Sequence, residues 1–234
     1  MTARMLAVDL RRGPAPVLGL AVLGLGAALV LGAGCDAVLA LRRAMWLVFP
    51  CVLAAGVWHG GSARRRHLDE AVTASALPAW RRSAVEGASI TVAGFAAFIL
   101  LFGAQTLNGA CTALTTGSSA AGIVAVLALG AAAFAGLALG RLAAAPMAAP
   151  LVLFAGLVVT SVFGGWSAAS ADALLLLPGV AEDAATDQLT VKISVAQMVW
   201  FAGLAVSGWL CASRPRLAGL APAAAGLIGL WALT

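Results

Sequence analysis

The chain has 234 residues, 62% of them hydrophobic and only 10% charged, with a mean hydropathy of +1.03. Soluble globular domains carry about 25% charged residues, so this composition excludes an ordinary soluble domain and points to an all-α, polytopic integral membrane bundle. The net charge of +5 does not indicate nucleic-acid binding, because most of the arginines stand in short runs beside apolar spans, where they act as topology signals.

Apolar runs predict spanning helices at about 15–34, 44–60, 84–104, 119–140, 147–165, 194–213 and 217–233. This gives six spans, or seven if 217–233 also crosses. The first run begins near Pro14 and is long enough to cross a bilayer, so it reads as a span and not as a removed leader. Strands are excluded because a lone span in lipid must satisfy its own backbone hydrogen bonds, and the alternating pattern of a barrel is absent.

Eleven of the 14 basic residues fall on one side if the N-terminus is cytoplasmic, against Arg42, Arg43 and Lys192 on the other. That asymmetry predicts a multi-pass membrane protein with a cytoplasmic start. Residues 35–43, CDAVLALRR, then form a short external interruption. Residues 166–193 form a longer external segment whose leucine run is broken by Pro178 and Gly179. That run is too short to cross, and two readings stay open: a segment partly inserted in the outer leaflet, or a loop packed on the protein. Cys35 and Cys111 would both be external, either bridged or as two free thiols. Cys51 falls within a span as a small apolar filler. Ala132, Gly136 and Gly140 are spaced four apart and share one side of the fourth span, a small-xxx-small packing face for another helix or a second copy.

Between the second and third spans lies SARRRHLDEAVTASALPAWRR, residues 62–82. Nothing breaks a helix from Ala63 to Leu77, and Pro78 stops it. Arg65 precedes Asp69 by four residues and Arg66 precedes Glu70 by four, both ion-pair spacings. Leu68 and Val72 give this short helix a modest apolar side. An arginine cluster lying at the headgroups accounts for part of this. The mixed charges and apolar patch also suit docking of a cytosolic partner.

This segment resembles the stretch that follows the second span in type-2 ABC exporter permeases, of the form Arg/Glu-Arg-Arg-x-x-x-Glu-Leu-x-x-x-Thr-Pro-x-x-Arg. The actinobacterial members, with a Leu-Arg-Arg-Gly like Leu10 to Gly13, are the most similar. The chain departs from that form in having Ala71-Val72 after the acids and Ser75-Ala76-Leu77-Pro78 in place of Thr-Pro. The resemblance implies a coupling helix over about 63–77 that seats on a separate ABC ATPase subunit through Arg64, Arg65, Arg66, Leu68, Asp69 and Glu70. It also implies a second permease copy or a paralogous permease alongside. ATP and Mg would belong to the ATPase, with no cofactor or metal bound by this chain.

The sequence has no phosphate-binding loop, since its single lysine, Lys192, lacks the Gly-Lys-Ser/Thr context. His59 and His67 form no metal-ligand pattern. No catalytic residues are expected, and the chain by itself is not expected to be an enzyme. Glu86, near the start of the third span, is expected to pair locally with Arg82 or Arg81 at the interface. Two functions are therefore expected in order: the transmembrane subunit of an exporter of amphipathic or hydrophobic cargo, or a non-transporting membrane anchor or immunity-type protein that recruits a cytosolic partner.

Overall fold

The computed structural model describes residues 37–65, 78–107, 116–143, 145–166, 187–213 and 217–233. These residues form helices α1 (Ala37–Gly60), α2 (Ser62–Arg65), α3 (Ala79–Leu107), α4 (Thr116–Leu142), α5 (Ala148–Trp166), α6 (Asp187–Ser213) and α7 (Ala221–Leu233), with a 3-10 turn over Leu217–Leu220. No strand occurs among the described residues. The expected first span, the residues Arg66, Leu68, Asp69 and Glu70, the pair Cys35 and Cys111, and most of the expected external segment before α6 lie outside them.

Three helices, over Ala79–Leu100, Gly122–Leu142 and Ser194–Ser213, are long and apolar enough to cross a membrane among the described residues. Two shorter apolar helical stretches, Met45–Gly60 and Ala148–Thr160, accompany them. Helix α7 has 13 residues and rises roughly 20 Å, less than the hydrocarbon thickness of about 30 Å. Large apolar side chains point outward, among them Leu100, Leu151, Phe154 and Ile228. Such a surface would be a liability in water and suits lipid. The chain is a helical membrane protein.

Helical backbone extends beyond the apolar runs at two points: α1 includes Arg42 and Arg43, ahead of the run at 44–60, and α6 begins at Asp187, ahead of Lys192. Ala, Leu and Arg are strong helix formers and nothing in 37–44 stops a helix. Helix α1 also carries Pro50 in its interior. Proline removes a backbone bond there, a defect tolerated in membrane helices when neighbouring helices cover it. Pro50 is fully buried, and a Cβ added to Gly156 of α5 would come within 2.8 Å of its Cβ. That close crossing places α5 on α1.

Helix α4 is the central element. Ala128, Leu129, Ala132, Ala133 and Leu137 are all essentially buried, and α4 packs against α1, α3 and α6. Of the small residues on the fourth span, Gly136 and Gly140 lie close against α1, and Ala132 is buried. A Cβ on Gly136 would stand 2.9 Å from the Gly56 Cα, and one on Gly56 would stand 2.7 Å from the Ala133 carbonyl oxygen. Gly140 meets the backbone of Val57, and Gly60 meets that of Leu137. The matching pair Gly56 and Gly60 is itself a Gly-xxx-Gly spacing, and the two ridges bring the α1 and α4 backbones together. On the other side of α4, a Cβ at Gly208 of α6 would lie 2.6 Å from the Ala135 amide nitrogen. Helix α7 packs on α6, where the Ser207 hydroxyl accepts a 2.7 Å bond from the Ala223 amide.

Candidate functional site

Connectivity brings the ends of α1, α4 and α6 and the starts of α2 and α3 to one end of the bundle. The described cations Arg64, Arg65, Arg81, Arg82 and Arg141 gather there. Arg141 occupies the last turn of α4, where a cation also meets the negative end of the helix dipole favourably. Its Nη2 donates to Glu86 Oε2 at 2.5 Å, and its Nη1 donates to Ser83 Oγ at 2.8 Å and to the Ala212 carbonyl of α6. Ser83 is fully buried, and its own hydroxyl proton goes to the Ala79 carbonyl at 2.9 Å. One guanidinium thus fastens α4 to both α3 and α6. The planar fork with five donors makes this possible, where an ammonium could not match the geometry.

A second contact joins the same helices. The Trp209 Nε1 of α6 donates to the Trp80 carbonyl at 3.1 Å, and the two rings meet edge to face with centroids 6.4 Å apart. On the other flank, Arg65 on the single turn of α2 donates back to the Trp58 carbonyl, its guanidinium 4.4 Å from the Trp58 ring centroid. Arg81 lies 5.0 Å from the ring of Trp80. Trp58 and Trp80 are both exposed. Exposed tryptophans paired with arginines are the pattern of the membrane–water boundary, where an apolar ring with a polar edge is best accommodated.

Between these helix ends lies a partly open cavity of about 360 Å³. His59, Arg64, Arg82, Glu86, Arg141 and Cys211 are among the residues lining it. The described lining carries three arginines against one glutamate, and no three His, Cys, Asp or Glu side chains among the described residues come together closely enough to hold a metal ion.

Of the residues expected to contact an ATPase, Arg64 and Arg65 are described, and both belong to α2. Arg64 faces the cavity and Arg65 folds back on Trp58. The ion pair at Glu86 reaches across the fold to Arg141, where sequence spacing suggests Arg82 or Arg81. Arg141 reads in the sequence only as a topology signal. The pointer to its role is a charged residue, Glu86, set inside an apolar helix one turn from Ser83, which calls for a distant partner. No family model, curated protein or solved structure matches this chain.

Proposed function

We propose that the chain is the transmembrane subunit of an ATP-driven exporter of the ABC type, working with a separate ATPase that carries ATP and Mg. In this reading six spans cross a bacterial plasma membrane from a cytoplasmic start, and residues 63–77 form the coupling helix. A second copy or a paralogous permease completes the translocation path. The cargo is amphipathic or lipid-like, because the spans offer apolar walls.

The observation that carries this reading is how the two ends of residues 66–77 are held. The leading end, α2, is tied to α1 through Arg65 and Trp58. The trailing end, the start of α3, is tied to α4 and α6 through Arg141 and Trp209. A force applied to the intervening residues would enter α1 and α3 directly and reach α4 and α6 through these bonds. Coupling of this kind needs rigid elements with discrete arrangements, not a slack loop. The arginine asymmetry of the sequence puts this end on the side where ATP is found.

The test is co-purification with the ATPase encoded beside it, combined with Asp69→Ala/Glu70→Ala. Loss of cargo export with the complex still assembled supports the exporter. A complex that never forms, with ATP hydrolysis indifferent to the membrane protein, overturns it. Assembly without any export, in the unsubstituted protein, favours the anchor.

A further inference from the structure

We propose that Pro50 is a hinge in α1. The first half of the helix leans about it toward α5, and the Trp46 indole N–H then passes from an unpaired position to the Thr160 hydroxyl oxygen. The inference rests on the packing of α1, α4 and α5 and on no ATPase partner.

Three observations carry it. The first is a donor without an acceptor. Among the described residues, Trp46 Nε1 is the buried side-chain polar atom that makes no hydrogen bond. Leaving a buried N–H unpaired carries its full desolvation cost, which an apolar ring there would avoid. Buried indoles usually find a partner. A second arrangement, in which this N–H is bonded, accounts for a tryptophan at the position.

The second observation is a matching acceptor. Helix α1 runs toward the arginine-rich end and α5 runs away from it, so the two are antiparallel. Pro50 meets Gly156 at their crossing. Trp46 precedes Pro50 by four residues, and Thr160 follows Gly156 by four. Residues four apart share a helix face, so both stand about one turn from the crossing, at one level, on the facing sides. Thr160 is buried, although Val158 and Val159 beside it are exposed. Its hydroxyl proton goes to the Leu157 carbonyl at 3.1 Å, and the oxygen keeps lone pairs with which to accept.

The third is a pivot between a fixed half and a freer one. Pro50 has no N–H to give the Trp46 carbonyl, so the helix ladder is interrupted between these two residues. Beyond the proline, α1 is held backbone to backbone: Gly136 lies against Leu53 and Gly56, Gly140 against Val57, and Gly60 against Leu137. The close contacts of described glycines with the α1 backbone all fall at Pro50 or after it. Before it, Met45, Leu47 and Val48 are buried through their side chains. A lean of residues 37–49 therefore leaves the α1–α4 ridge intact and carries Trp46 toward Thr160.

The test uses the purified full chain in lipid nanodiscs, with no ATPase and no nucleotide, so its outcome is independent of export. The protein is labelled with fluorotryptophan and followed by fluorine NMR over a range of temperatures. Its seven tryptophans give seven environments, and the signal missing from W46F belongs to Trp46. That signal is expected as two lines, or as one broad line that resolves into two on cooling. T160V keeps the side-chain shape and removes the acceptor, so one line is lost. T160S keeps the hydroxyl and retains both. P50A mends the helix ladder and also leaves one line; should P50A fail to fold, the contrast between T160V and T160S still decides. A single Trp46 line at every temperature overturns the proposal, as does a pair of lines that survives T160V.

Discussion

Arg141 closes α4 and holds the Glu86 carboxylate of α3 at 2.5 Å across 55 positions of sequence, with side-chain exposures of 26% and 22%. The pair is asymmetric. Glu86→Gln leaves the Arg141 bonds to Ser83 and Ala212 in place, whereas Arg141→Gln strips those bonds and leaves a partly buried carboxylate without its guanidinium. Full burial would make loss of one partner cost about 3–5 kcal/mol, but a quarter exposure screens the pair. Arg141→Gln should cost about 2 kcal/mol and Glu86→Gln about 1 kcal/mol. The double variant should lose less than both together. Denaturation midpoints in one detergent check the order, and a larger loss for Glu86→Gln would refute it.

The glycine ridge between α1 and α4 separates tolerated from forbidden side chains within one helix. A Cβ at Gly136 meets the α1 backbone, whereas one at Gly122 or Gly130 meets nothing within 4 Å. Backbone cannot step aside as a flexible side chain can, so Gly136→Val forces the two helices apart. It should cost more than about 3 kcal/mol through overpacking and lost contacts. Gly122→Ala and Gly130→Ala fill open space and remove glycine from a helix interior, gaining up to about 1 kcal/mol each. Size-exclusion profiles after graded heating distinguish these outcomes.

Much of this fold was legible because hydropathy reports where lipid begins and ends. The runs 84–104, 119–140, 147–165 and 194–213 fall within α3, α4, α5 and α6 almost throughout. Hydropathy does not report where the helix ends. Arg42, Arg43 and Lys192 flank the apolar runs, yet the backbone is helical through them, because a helix keeps its backbone bonds internal on either side of the water boundary. The spacing of Ala132, Gly136 and Gly140 exposed a packing face. Its partner was knowable only from a second, equally short pattern at Gly56 and Gly60. The Glu86–Arg141 pair lay beyond reach because local spacing offers Glu86 nearer arginines. Choosing between them needs the packing of α3 on α4.

The two described cysteines should differ in reactivity. Cys51 is 7% exposed within the α1 core, and Cys211 is half-buried on the cavity wall. Modification needs the reagent to reach the sulfur, which the packed α1 core denies to Cys51 and the partly open cavity allows at Cys211. In a Cys35→Ser/Cys111→Ser background, a small maleimide should modify Cys211 at least tenfold faster than Cys51. Peptide-resolved mass spectrometry measures this. Equal rates would mean that α1 does not seal Cys51 from the reagent.

The Trp80–Trp209 contact predicts a split between two substitutions that look alike. Trp209 supplies the indole N–H, while Trp80 receives it on its backbone carbonyl. Trp80→Phe therefore keeps the acceptor and an aromatic ring, and loses only part of the edge-to-face contact. Trp209→Phe loses the donor outright. The hydrogen bond is worth about 1 kcal/mol and the ring contact about 0.5–1 kcal/mol, so Trp209→Phe should lower stability by at least 1 kcal/mol and Trp80→Phe by about half that. The consequence reaches function if α3 receives force at its first turn. Trp209→Phe then weakens the join between α3 and α6, and export per ATP hydrolysed should fall even at temperatures where the protein remains folded. Trp80→Phe should keep that ratio. Parallel measurement of the denaturation midpoint and the transport-to-hydrolysis ratio decides it: a fall in both variants to the same degree would show that the α3–α6 bond does not carry the coupling.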